Sequence, residues 1–147
     1  MYNGFAMLSQ TAEYALRAMV ALAVGPGART AEDLSRESRV PLDYLSKVLN
    51  SLARAGVVTS RRGRGGGFQS VRPASELTVL QVVTAVDPVK RIKTCPLGLK
   101  AHGTNLCPLH RKLDDAAASV EEAFASTTIA SLLGQSFCEG DVCDAAA

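Results

Sequence analysis

The stretch Val40–Pro73, VPLDYLSKVLNSLARAGVVTSRRGRGGGFQSVRP, decides the fold. Leu42, Leu45, Val48, Leu49 and Leu52 recur at helical spacing. That spacing places one apolar stripe inward and leaves Asp43, Tyr44, Lys47, Asn50 and Arg54 on the outer face. Gly56 follows where a helix end calls for a left-handed residue. Val57–Arg62 then alternates as a strand, Gly63–Gly67 forms a tip, and Phe68–Val71 returns as a second strand. Between Arg39 and Arg72 stand seven basic residues (Arg39, Lys47, Arg54, Arg61, Arg62, Arg64, Arg72) and one acid, Asp43. Because the whole chain carries only +2, positive charge is concentrated here, as phosphate binding by counterion release requires. A glycine-rich tip alone suits any flexible turn, and a basic hairpin alone suits any solvated loop. In succession, helix, glycine and arginine-rich hairpin predict a winged helix whose wing touches duplex DNA. The run Gly63–Phe68 is not a nucleotide loop: it lacks the third glycine of a dinucleotide fingerprint and the Lys-Ser/Thr of a P-loop.

Upstream, Ser9–Val24 reads as a first helix ended by Gly25-Pro26-Gly27, and Thr30 opens a short second helix by a capping pattern. Ser38–Pro41 is the turn into the third helix, with Pro41 suited to its first turn. The result is a helix-turn-helix with a wing, the third helix destined for the major groove. Downstream, Thr78 opens a fourth helix through Val86, with Leu80, Val83, Ala85 and Val86 expected to face the winged domain. Val89–Leu106 has no clear period and reads as a loop. Cys107–Ser126 is the longest helical pattern, with Leu109, Leu113, Ala116, Ala117, Val120 and Phe124 in one stripe. So long an apolar stripe, far from the winged core, predicts pairing with a second copy, with folding back onto its own domain as the alternative. Thr128–Leu133 adds a final turn. The expected fold is mainly α with a small β-hairpin wing. Its expected parts are a winged helix-turn-helix domain over 7–87, a cysteine-containing loop over 88–106, a dimerisation helix and final turn over 107–134, and a flexible tail over 135–147.

With 147 residues and 47% hydrophobic content, the chain can bury a proper core, and no apolar run is long enough to span a membrane. MYNGFAMLSQ has no charged n-region or cleavage site, so a cytoplasmic location is expected. The lack of tryptophan argues against a single-strand binder that stacks bases. Four cysteines in such a setting point to metal or redox chemistry rather than a disulfide scaffold. No Cys-x-x-Cys, serine–histidine or acidic catalytic pair is apparent, so the chain is not expected to be an enzyme.

Cys95-Pro96-Leu97 and Cys107-Pro108-Leu109 repeat one tripeptide on either side of the loop, and His110 stands three residues after Cys107. Cysteines in a basic, glycine-containing loop are poor core residues, so Cys95 and Cys107, with His110, are the candidate metal or redox groups. Cys138 and Cys143 form a separate pair in the tail.

These residues resemble the Rrf-two family of bacterial transcriptional regulators. The resemblance rests on Glu13-Tyr14-Ala15-Leu16-Arg17, Tyr44–Leu49, Leu52–Val58, Arg62–Phe68 and Leu77–Asp87, and spans Met7 to about Leu133. It implies a homodimeric binder of double-stranded DNA, a repressor reading an imperfect inverted repeat, with its sensor in the cysteine loop. Position against the family pattern makes Tyr44, Lys47 and Arg62 the foremost DNA contacts, followed by Pro41, Asp43, Arg61 and Arg64. Relatives that bind a cluster carry three cysteines across the loop; here the middle position is Ala101. The family's fourth ligand matches Glu13, donated from the partner subunit, or His110. Cys95, Cys107, Glu13 and His110 thus resemble a mixed-ligand two-iron, two-sulfur (2Fe-2S) site. Zinc on Cys95, Cys107 and His110, a Cys95–Cys107 thiol switch without metal, and a zinc-stabilised protein-interaction module stand beside it.

Overall fold

The computed structural model describes residues 8–94 and 106–134. Six helices and one hairpin follow in order: α1 (Gln10–Val24), α2 (Ala31–Ser38), α3 (Leu42–Arg54), β1 (Val58–Arg61), β2 (Gly67–Ser70), α4 (Val79–Val86), α5 (Pro108–Ser126) and α6 (Ile129–Leu133). Local chemistry sets most of these limits. The Ser9 hydroxyl accepts from the Ala12 amide at 3.1 Å, and the Thr30 hydroxyl from the Asp33 amide at 3.1 Å. Thr78 and Gln81 form a reciprocal capping box at the start of α4. Gly56, at φ +73°, closes α3: its amide bonds to the Ala53 carbonyl and the Val57 amide to that of Leu52, a Schellman end.

The core gathers Met19 of α1, Leu34 of α2, Leu45, Leu49 and Leu52 of α3, Val58 of β1, Val82 of α4 and Ile129 of α6, each almost fully buried. Two inward assignments need correction. Leu42 is 39% exposed, because the first residue of a helix points its side chain back past the end of the buried stripe. On α4 the residues turned fully inward are Val79, Val82 and Val83. Leu80 is only half-buried and lines a surface cleft with Val57 and Arg72. Pro41 sits one place earlier than expected, as the residue before the first turn of α3.

The hairpin pairs β1 with β2 antiparallel, Arg61 opposite Gly67 and Val58 opposite Ser70. A third backbone segment extends it. Arg29, between α1 and α2, exchanges both backbone hydrogen bonds with Phe68, at 2.8 and 2.7 Å. The second strand of the wing is therefore stitched to the front of the helix-turn-helix. At the other end, α5 packs along α4, and the chain then turns back so that α6 reaches α1. The Val79 amide bonds to the Thr127 carbonyl and the Ile129 amide to the Leu77 carbonyl, each at 2.8 Å. The expected final turn is thus a short helix docked in the core, with Ile129 sealed at 1% exposure.

Candidate nucleic-acid interface and thiol site

The outer face of α3 presents Pro41, Asp43, Tyr44 and Lys47, all exposed. The Lys47 ammonium lies over the Tyr44 ring, 5.8 Å from its centroid. The Tyr44 ring meets Tyr14 of α1 edge to face, with centroids 5.7 Å apart and planes at 79°. Tyr14 accepts a hydrogen bond from Gln10 Nε2 at 2.9 Å.

On the wing, Arg61, Arg62 and Arg64 are exposed and make no ion pair or side-chain hydrogen bond among the described residues. Four arginines elsewhere are engaged, Arg17 with Glu13, Arg29 with Glu37, Arg36 with Asp33, and Arg91 with Asp114 and Glu121, whereas the side chains of Arg54, Arg72 and Arg111 are, like the wing arginines, unpaired among the described residues. Guanidinium groups without protein partners beside an exposed helix are what phosphate recognition uses. Gly67, at φ +138°, lets β2 approach Arg29. A Cβ on it would lie 2.3 Å from the Arg29 carbonyl oxygen, so only glycine lets the second wing strand pair here.

Cys107 is the residue before α5, and Pro108 opens the helix. Its thiol is buried and lies 2.8 Å from Nδ1 of His110, itself 9% exposed. Cys107 is thus less open than a loop residue was expected to be, because it sits where the loop ends against the first turn of α5. Cys95, together with Ala101, His102, Cys138 and Cys143, lies outside the described residues. Glu13 is bonded to Arg17 at 2.9 Å on its own helix. Among the described residues no three His, Cys, Asp or Glu side chains gather as a metal site. One chain therefore brings together Cys107 and His110 but does not bring Glu13 to them. Sulfur and nitrogen fit one half of a zinc or mixed-ligand iron site by donor type. Two ligands on one tetrahedral ion lie about 3.5 Å apart, so the hydrogen-bonded pair would open by some tenths of an ångström on binding.

Three groups of functional weight escaped the sequence reading. Arg29 anchors the wing through its backbone. Tyr14 braces Tyr44. Arg91 grips α5: its Nε and a terminal nitrogen both reach the Asp114 carboxylate at 2.8 Å, its other nitrogen reaches Glu121 at 3.0 Å, and the Ile92 amide donates to Asp114 at 2.8 Å. Arg91 and the Ile92 amide hold the Asp114 carboxyl down at about 2, and the two carboxylates raise the Arg91 guanidinium further. What read as a periodless loop is, over its first residues, a strap fastened to α5. Pairs so far apart in sequence leave no local signal.

Residues 8–135 match the Rrf2 family, described as iron-dependent transcriptional regulators. A protein of Mycobacterium tuberculosis described as an HTH-type transcriptional regulator is 33% identical over 133 residues, covering 86% of this chain and 81% of that protein. One from Aquifex aeolicus is 26% identical over 131 residues, covering 86% and 91%. Among solved structures, IscR of T. potens superposes with a TM-score of 0.71 at 21% identity, covering 93% of this chain and 95% of that one. CymR, the global cysteine regulator of B. subtilis, gives 0.70 at 21%, covering 88% and 98%. No described helix is long and apolar enough to cross a membrane. The exposed outer face of α3, the arginine-bearing wing and these likenesses agree: the chain belongs to the Rrf2 family of winged helix-turn-helix, DNA-binding transcriptional regulators.

Proposed function

We propose that this regulator is a cytoplasmic homodimeric repressor of an imperfect inverted-repeat operator, controlled by a 2Fe-2S cluster at the cysteine loop. The observation that carries the sensor half is the buried Cys107–His110 pair at the start of α5. Cys95, Cys107 and His110 would hold the cluster, with the partner subunit's Glu13 completing it. When bound, such a cluster supplies sensitivity to oxidants, nitric oxide and iron–sulfur status.

The chain's own residues do the rest. Tyr44, Lys47 and Arg62 contact the operator foremost, flanked by Pro41, Asp43, Arg61 and Arg64. Leu109 and Leu113, 60% and 49% exposed on α5, support a second copy as what covers that helix. So does the groove that Leu113, Ala117 and Val120 share with Leu8, Ala12 and Val83. Two copies then address half-sites about 34 Å apart. Glu13 must leave Arg17 to serve as a ligand, which ties the sensor to α1 and through it to α3.

A second reading follows from the 2.8 Å sulfur–nitrogen approach. Beside the imidazole, the Cys107 thiol would react directly with an oxidant, or bind zinc together with His110. An anaerobic visible and circular-dichroism spectrum with iron, sulfide and zinc analysis separates these. Visible bands with about two irons and two sulfides per chain support the cluster. One zinc per chain, or neither metal after anaerobic reconstitution, rejects the cluster in favour of zinc or the thiol switch.

A further inference from the structure

We infer that Tyr14, on α1, positions the DNA-contacting face of α3, so that operator selectivity is set by two helices rather than one. The inference rests on the reading that Tyr44 and Lys47 touch the operator. Tyr44 is 47% exposed, and a ring that free on a helix surface would ordinarily sample several rotamers. Here it is held from two sides. Tyr14 meets it edge to face at 5.7 Å, and the Lys47 ammonium lies over it at 5.8 Å. Tyr14 is fixed in turn, half-buried against the core and hydrogen-bonded through its hydroxyl to Gln10 one turn earlier.

Packing alone does not require this arrangement. The common core that α1 and α3 share already contains buried Ala15, Ala18, Leu45 and Leu49, while the tyrosine pair lies at the exposed margin. What the pair adds is pre-organisation. Tyr44 and Lys47 are ordered before DNA arrives, so less side-chain freedom is lost when they meet base edges. Phosphate contacts from the wing are long-ranged and orientation-tolerant, so they gain little from Tyr14. Removing Tyr14 should therefore cost selectivity before it costs general affinity.

The test uses two duplexes of equal length: one that the wild-type chain enriches from a randomised pool, and one unselected. Tyr14→Leu is expected to weaken the selected duplex about three- to tenfold, the range of one aromatic pair, and to leave the unselected duplex within about twofold. Tyr14→Phe, which keeps the ring, should bind the selected duplex nearly as well as wild type. In a Tyr44→Leu background, Tyr14→Leu should add no further loss. Equal losses on both duplexes, equal losses in both backgrounds, or no loss where Tyr44→Leu weakens binding would overturn the inference. If Tyr44→Leu and Lys47→Ala change neither affinity, or no duplex is enriched, the reading of α3 fails first and takes the inference with it. A second measurement guards against misfolding of the leucine variant. The chain has three tyrosines and no tryptophan, so fluorotyrosine resonances are assignable with Phe variants. The Tyr14 signal should move with that of Tyr44 on adding the selected duplex, and a stationary Tyr14 signal refutes the coupling.

Discussion

Arg62 shows how much a single residue can be asked to explain. It is exposed on the wing, so Arg62→Ala removes no hydrogen bond or ion pair among the described residues. The expected result is weaker duplex binding, with the slope of log affinity against log salt reduced by about one. Binding titrations across a salt series check both, and an unchanged slope removes Arg62 from the phosphate contacts. Asp114 makes a different kind of statement. Its folded pKa, about 2, lies below the ordinary carboxylate value, so its contribution is present above about pH 4 and is lost as pH falls through about 2. Asp114→Asn should lower the melting temperature at neutral pH, and the gap from wild type should close between pH 4 and 2. A gap constant over that range would show that the carboxylate charge is not what Arg91 grips.

At the scale of elements, the wing depends on a residue outside it. Phe68 and Arg29 exchange backbone hydrogen bonds, and Gly67 makes the approach possible. Gly67→Ala forces a Cβ against the Arg29 carbonyl in a conformation that L side chains rarely adopt. A loss of about 2 kcal/mol is expected, seen as a melting temperature lower by roughly 5 °C, with operator affinity falling further than stability as the wing detaches. A variant that melts and binds as wild type would show that the second wing strand can shift freely. The helices needed less help to be recognised. Thr30 and Thr78 announced α2 and α4 by capping chemistry, Gly25-Pro26-Gly27 marked the end of α1, and the Leu45–Leu52 stripe announced α3 by its period.

For the whole molecule, the proposed assembly falls on α5. Its exposed Leu113 faces the groove formed with the start of α1 and the end of α4. With a second copy seated there, sedimentation should report twice the 15.4 kDa chain mass, and Leu113→Glu should shift the population towards single chains. Operator binding should weaken with it, because one copy reads only one half-site. A wild-type chain that sediments at its single mass would remove the dimer. The proposed DNA-contacting face on α3 and the wing would stay as described, since no residue of α5 contributes to it.

The sequence by itself determined the helix-turn-helix, the arginine-rich hairpin, the exposed side of α3 and the Cys107–His110 spacing. Each of these is written in neighbours a few residues apart, where period, caps and turn glycines act. Only the tertiary structure decided what joins distant parts. It set Arg29 against Phe68, Arg91 against Asp114 and Glu121, Tyr14 against Tyr44, and α6 against α1. It also turned Leu42 outward and buried Cys107 beside its histidine. Those outcomes depend on which surfaces meet once the chain has closed on itself, and no local pattern carries that information.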